Sequence, residues 1–226
     1  LLKYGEDELA IQYAEYLLSI QNKDGSFNGI DGKARIFDTS ACYEGLDAIG
    51  ETDAADDAKT WLQSQYLDNG ALPIEPGGDL THVYTIRASG LINSRLGKKY
   101  WQFEDGWDTR WGSKQRMHYI AYGLEGLAML GVDISEPLSI SRRILVGGLM
   151  PYWIETDWKK ARGTDVTATC QMAVLYAKHG VDAKPLVEAV EGLIRDDGGI
   201  PQMKSDNWPV SWAAKFYLDA KRELEG

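Results

Sequence analysis

His118, Tyr122 and Glu125 are spaced i, i+4 and i+7, which puts an imidazole, a phenol and a carboxyl on one face of a helix. Imidazole is the side chain best suited to moving protons near neutral pH, and a neighbouring Tyr or Glu can orient it or act as its partner. The chain has only three His. A second falls in a comparable place, in Thr81-His82-Val83-Tyr84 with Arg87. Tyr84 and Arg87 share a face, but His82 lies roughly 140° from Arg87 on an ideal helix, so the three converge only if His82 sits at or before the first turn. A buried Arg87 needs an anion, either a protein carboxylate or one on a substrate. The third, His179, precedes Gly180 and reads as a helix C-terminal cap.

Asp38 and Asp165 each open a helical stretch. Asp caps a helix N-terminus well, and a carboxyl in that place can also serve as a general acid or base. Thr164, Thr167 and Gln171 share one face and offer hydroxyl and amide groups to a sugar. Trp208, Trp212 and Lys215 share another, where Trp212 either packs or stacks on a sugar ring. Trp101, Trp107 and Trp111, with Arg110, crowd one segment that a core does not account for. An aromatic loop of that kind suits carbohydrate stacking or a partner surface. Cys42 and Cys170 read as small buried hydrophobes. With His118 they make no diagnostic zinc spacing, and the sequence calls for no metal and no cofactor.

These residues must be held by helices, and the helices recur. Residues 8–21 read as an amphipathic helix ending in Gln21, followed by the turn Asn22-Lys23-Asp24-Gly25. Residues 54–65 precede Asp68-Asn69-Gly70, and residues 182–195 precede Asp196-Asp197-Gly198-Gly199. Asp-Gly and Asn-Gly supply the positive φ that stops a helix. Between them lie helices of another texture, over 38–49, 80–95, 117–130, 164–178 and 207–223, rich in Ala, Gly and Ser and poor in charge. Helices like these are enclosed on most sides. Two alternating classes point to an inner ring within an outer ring. The expected fold is therefore an all-α (α/α) toroid of about ten helices, a single domain over 1–226. Segment 96–116 reads as a loop or one short turn where an outer helix is expected, which makes the ring irregular there.

The totals set limits. With 226 residues, 44% hydrophobic and 26% charged, one sizeable core is affordable and two domains with a comfortable linker are not. A net charge of −10 argues against nucleic acid as a partner. No apolar run approaches the length of a membrane span. The opening Leu1-Leu2-Lys3-Tyr4-Gly5 suggests a trimmed start, so the ring is expected to be open or completed by a protein partner. Acidic composition and two cysteines fit cytoplasm and periplasm equally.

The phrase from Leu17 to Phe27 followed by Phe37 to Leu46 resembles the repeat of terpenoid-cyclase and protein-prenyltransferase toroids. The chain is more similar to a toroid group encoded in bacterial polysaccharide-biosynthesis loci. The residues that echo it are Phe37-Asp38-Thr39, His82-Val83-Tyr84 with Arg87, His118 to Tyr122 with Glu125, Thr167-Ala168 with Gln171, Gly198 to Pro201, and Ser211 to Phe216. This resemblance implies a carbohydrate-active protein working on an acidic, uronate-containing polysaccharide. Lyase or epimerase chemistry would use His118 or His82 with Tyr84 or Tyr122 as base and acid, and Arg87 as carboxylate clamp. Hydrolysis would instead rely on Asp38, Glu125 or Asp165. Asp165, Thr167, Gln171, Trp208, Trp212, Lys215, Trp107 and Trp111 would line the substrate path. The alternatives are a non-catalytic glycan-binding or scaffold module and an isoprenoid enzyme. No Asp-x-Asp-Asp acid motif supports the latter, and P-loops and nucleophile elbows are absent.

Overall fold

The structure is a computed structural model and describes residues 5, 7–66, 87–92, 114–155, 161–206 and 208–225. His82, Tyr84, Trp107 and Trp111, and the turn at Asp68-Asn69-Gly70, lie outside the described residues. Contacts divide the chain into two compact units, Leu1–Gln102 and Phe103–Gly226. Both are mostly helical.

In the first unit, helix α1 (Asp7–Ile20) packs on α2 (Ile36–Ile49), which packs on α3 (Thr52–Ser64). Phe27, Ile36, Leu46, Ala55, Ala58 and Leu62 form the core, joined by Ala88 and Ile92 of a helical stretch at residues 87–92. Helix α1 buries Ala10 and Ala14 and leaves Leu9, Tyr13, Tyr16 and Ile20 exposed.

The second unit opens with strand β1 (Lys114–Arg116), followed by α4 (Met117–Met129), the short α5 (Ser135–Ser141) and a 3₁₀ turn over Arg142–Ile144. Strands β2 (Trp153–Glu155) and β3 (Ala161–Arg162) complete a three-stranded antiparallel sheet in which Arg116 faces Trp153. Helices α6 (Val166–Lys178), α7 (Lys184–Glu191) and α8 (Ser211–Glu225) follow, and α6 packs against α4, α7 and α8. Enclosure explains its composition: every residue from Val166 to Ala173 is buried, so small and apolar side chains are required there.

Among the described residues one backbone module recurs three times. Gly25 turns the chain at φ 88°, and Gly25 N–H and Asn22 N–H bond to Asn22 O and Ser26 O, each at 2.9 Å. Phe27 O then accepts from Arg35 N at 3.0 Å, and α2 starts at the next residue. Gly198 at φ 79° repeats this: its N–H reaches Arg195 O, Arg195 N–H reaches Gly199 O, Ile200 O accepts from Val210 N at 2.9 Å, and α8 starts at Ser211. The third copy, which the sequence reading did not pick out, turns at Gly148 (φ 84°); Met150 O accepts from Asp165 N at 2.8 Å, and α6 follows. A helix threonine seals two copies. Thr39 Oγ1 accepts from Phe27 N, and Thr169 Oγ1 from Met150 N, both at 2.9 Å. Gln21 owes its place to the same turn, since its amide donates to Gly25 O (3.1 Å) and to Ala54 O of α3 (2.9 Å).

Three expectations need correcting. Helix α8 begins at Ser211 rather than 207, because Pro209 and Val210 are engaged by the bridge to Pro201 and Ile200. Trp208 therefore does not share a helical face with Trp212 and Lys215. Asp38 is not the N-cap of α2: Arg35 holds that position without a side-chain cap, and Asp38 sits in the first turn. Residues 114–116, read as loop, form an edge of the sheet. By contrast Asp165 caps α6 as expected, with Oδ1 accepting from Ala168 N at 2.9 Å, and His179 is the C-cap.

The turn module separates two costs of adding a methyl group. Gly25→Ala and Gly198→Ala both force an L-residue to positive φ, worth about 1–2 kcal/mol. At Gly198 the new Cβ meets open space, whereas at Gly25 it strikes the Asp57 carbonyl and comes to 3.1 Å from Ala58 N. Urea unfolding of both variants should show Gly25→Ala at least about 2 kcal/mol worse. Equal losses would mean that the middle of α3, at Asp57 and Ala58, yields to the methyl group.

Candidate functional site

The N-terminal ends of α4 and α6 bring polar groups together in the second unit. His118 Nδ1 lies 2.6 Å from Gln171 Oε1. An amide oxygen only accepts, so Nδ1 carries the proton and Nε2 keeps its lone pair. The Tyr122 ring meets the imidazole edge-on, with centroids 4.8 Å apart, and Phe216 of α8 packs against Tyr122 at 6.0 Å. The predicted His118–Tyr122 face is thus real. Its orienting partner is Gln171, across from α4, while Glu125 lies half-buried further along the helix.

Burial pushes the His118 pKa down to about 4; the Gln171 bond opposes this and the Arg116 charge adds to it. The imidazole is therefore neutral at physiological pH. Asp165 moves the other way. It has no exposed surface, and burial pushes its carboxyl up to about 6 against the Ala168 amide and the Arg116 charge, with the Asp206 charge helping to raise it. Asp165 Oδ2 and Thr167 Oγ1 are both buried without a hydrogen-bond partner among the described residues. Buried polar atoms in folded proteins are nearly always paired, so two orphans within the first three residues of one helix start, cap included, need an explanation.

The repeated module shows that its backbone does not need them. Arg35, Asp165 and Val210 occupy the same position, each donating its N–H to the carbonyl after the turn. Two of the three copies hold that geometry without a capping carboxylate. Counted from the helix starts, Thr167 matches Phe37, Trp212 and His118, and Gln171 matches Ala41, Phe216 and Tyr122. Arg116 matches Asp165, immediately before α4.

Arg116, Tyr119, Tyr152, Trp153 and Asp206 belong to this site and were not picked out from the sequence. The signal available was positional, since Arg116 and Asp165 each directly precede an enclosed helix. The sheet completes it: Met117 N–H bonds to Tyr152 O at 3.2 Å, and pairing of Arg116 with Trp153 sets the guanidinium among rings. Asp206, whose Oδ2 accepts from Met203 N at 2.9 Å, lies in the segment that meets the start of α6 through the Val166 N–Gln202 O bond at 2.8 Å.

The remaining candidates are placed elsewhere. Arg87 is buried and paired with Glu44 at 2.8 Å, so a protein carboxylate meets its need for an anion. Asp38 is half-buried in the first unit, its carboxyl raised by burial. Trp208 and Trp212 are exposed, and Lys215 reaches Asp219 at 2.9 Å while lying over the Phe216 ring. Cys42 and Cys170 are held as thiols by burial, at about 11 and about 12. Among the described residues no group of three His, Cys, Asp or Glu side chains is arranged to hold a metal ion. None of their helices is long and apolar enough to cross a membrane.

No protein-family model matches the chain, and no curated protein sequence matches it. Among solved structures it is similar to a novel alpha-amylase from Clostridium perfringens, with a TM-score of 0.69 and 10% identity over 97% of this chain and 82% of that one. At that identity the likeness is one of fold.

The two titrating groups affect stability in opposite directions. Asp165 binds its proton more tightly folded than unfolded, so its contribution is full below pH 3.8 and is lost as pH rises through about 6. His118 binds its proton less tightly folded, so its contribution is full above pH 6.5 and is lost as pH falls through about 4. Wild type should therefore vary little in stability between these limits on their account. Asp165→Asn keeps the cap and removes the charge, and should stabilise at pH 7 by up to about 3 kcal/mol. That gain should fade towards pH 4, which exposes the His118 acid limb. Thermal melts of wild type and variant across pH 4–8 test this. A variant less stable than wild type at pH 7 would show that the carboxylate has a partner.

Proposed function

We propose that the chain is an (α/α) toroid that processes a polysaccharide by hydrolysis, with Asp165 as the general acid. The observation that carries this reading is a buried carboxyl held near pH 6 with one oxygen unsatisfied among the described residues, on the helix whose Gln171 fixes the tautomer of a neutral imidazole. A raised carboxyl pKa is what a general acid for glycosidic cleavage requires. Its proton passes to the leaving oxygen as the C1–O bond breaks, and a second carboxylate takes a proton from the water whose oxygen bonds to C1. Asp206 is the candidate for that second group, because its charge is felt at Asp165. His118 Nε2 and Thr167 Oγ1 supply an acceptor and a hydroxyl to sugar hydroxyls, while Tyr119, kept as a phenol by burial, supplies a donor. The ring faces of Tyr152 and Trp153 suit stacking on sugar rings. The fold likeness to an alpha-amylase is in keeping with carbohydrate as the substrate class.

Lyase or epimerase chemistry is less well served. It needs a base able to take a proton from carbon, and His118 at about 4 is a weak one. The competing reading is a non-catalytic glycan-binding module, favoured by one observation: Asp165 has no exposed surface. Wild type, Asp165→Asn and His118→Gln should be incubated with neutral and uronate-containing polysaccharides. Reducing ends, unsaturated-uronate absorbance and C5 proton exchange should be followed together. We expect new reducing ends, lost by about 10²–10⁴-fold in Asp165→Asn, and a wild-type rate that declines as pH rises through about 6. Unsaturated product or C5 exchange would overturn hydrolysis. Binding without turnover in all three proteins would establish the binding module.

A further inference from the structure

Arg116 is an arginine held by rings and, among the described residues, without a carboxylate partner. It is half-buried at the end of β1. Its Cζ lies 4.8 Å from the centroid of Tyr152, 5.5 Å from Trp153 and 5.6 Å from Tyr119. Among the described residues its guanidinium makes one hydrogen bond, a long one from Nη1 to Tyr119 Oη at 3.4 Å. Among the described residues no carboxylate stands within ion-pair distance of it. Arg35, at the matching position before α2, is paired with Asp31 at 2.6 Å, so the position itself does not prevent pairing. Asp165 is close enough for the two charges to interact, yet its second oxygen is unpaired rather than turned onto the guanidinium.

Stacking on ring faces fixes a guanidinium and strips part of its hydration while leaving the N–H groups at its edge unused. That edge presents parallel donors matched to a planar carboxylate, in a geometry that an ammonium cannot reproduce. We infer that Arg116 binds the carboxylate of a uronate residue in the glycan, which makes an acidic polysaccharide the substrate class of this site. The assignment rests on the reading of the site as a glycan site. It moves the role of carboxylate clamp from Arg87, which is paired with Glu44, to Arg116. A substrate carboxylate beside Asp165 also adds negative charge there, which keeps the acid protonated over a wider pH range.

The test compares a glucuronate-containing oligosaccharide with its carboxyl-reduced counterpart, the same chain without charge, by calorimetric titration of wild type, Arg116→Gln and Arg116→Lys. Wild type should bind the acidic sugar at least about tenfold more tightly than the reduced one, the worth of one charge-assisted contact. Arg116→Gln should lose that preference and bind the two sugars alike, with a circular-dichroism spectrum and cooperative thermal melt like those of wild type showing that the variant is folded. Arg116→Lys should retain only part of it. Equal binding of the two sugars by wild type, or a preference that survives in Arg116→Gln, overturns the assignment and leaves the glycan reading intact. If neither sugar binds to wild type, both are overturned.

Discussion

The described structure depends on one backbone hydrogen bond made three times, from the residue before a helix back to the carbonyl two residues beyond a glycine turn. It fixes where α2, α6 and α8 begin. The net contribution of each such bond is modest, about 1 kcal/mol, but leaving one unmade in a buried place costs more than making it gains. Because the backbone sets the helix start, the side chains there are released from structural duty. That is where the copies diverge. One position carries Arg35, Asp165 and Val210, and the next but one carries Phe37, Thr167 and Trp212. The sealing position is more conservative, with Thr39 and Thr169 doing the same job. A site can be written into one copy of the module without disturbing its fold.

Burial then decides the charge state of what is written there. It drives His118 and Asp165 alike towards their neutral forms, one by weakening a base and the other by weakening an acid. Guanidinium does not yield to burial in this way. Between about pH 4 and 6 the cluster therefore holds a neutral imidazole, a largely protonated carboxyl and a cationic Arg116. The chain as a whole carries a formal charge of −10, and in this cluster the Arg116 cation stands against the Asp206 carboxylate and a carboxyl that burial keeps largely protonated. Net charge alone does not exclude an anionic ligand when the local field has the opposite sign.

The features legible in the sequence were those whose causes are local. The apolar period and the Asn22-to-Gly25 turn placed α1, and the alternation of small residues placed α4 almost to the residue. The capping role of Asp165 and the shared face of His118 and Tyr122 follow from spacing within one helix. The rest depends on partners far along the chain. Gln171 meets His118 across 53 residues, and Arg116 acquires its rings through pairing of β1 with β2, two strands too short to carry a period. The turn at Gly147-Gly148 lacks the acidic residue of the other copies, so its likeness to them shows in hydrogen bonds and φ rather than in letters. Trp208 was misplaced because a helical period continues on paper through Pro209, which the chain uses for a bridge.

The choice of Gln171 as the partner of His118 bears on how the site divides its labour. A carboxylate at that place would orient the imidazole equally well, but it would raise the imidazole's pKa and add a second anion near Asp165. An amide fixes the tautomer through one bond and adds no charge. The imidazole then stays a neutral acceptor, and the group whose proton affinity falls in the useful range is Asp165 alone. Thr167 and Gln171 are one turn apart on α6 and Asp165 caps its start, so one helix carries a carboxyl of raised pKa, a hydroxyl and the amide that orients the imidazole. Enclosure of α6 by its neighbours keeps these groups in register, and the same enclosure removes the water that would otherwise restore both pKa values to their ordinary range.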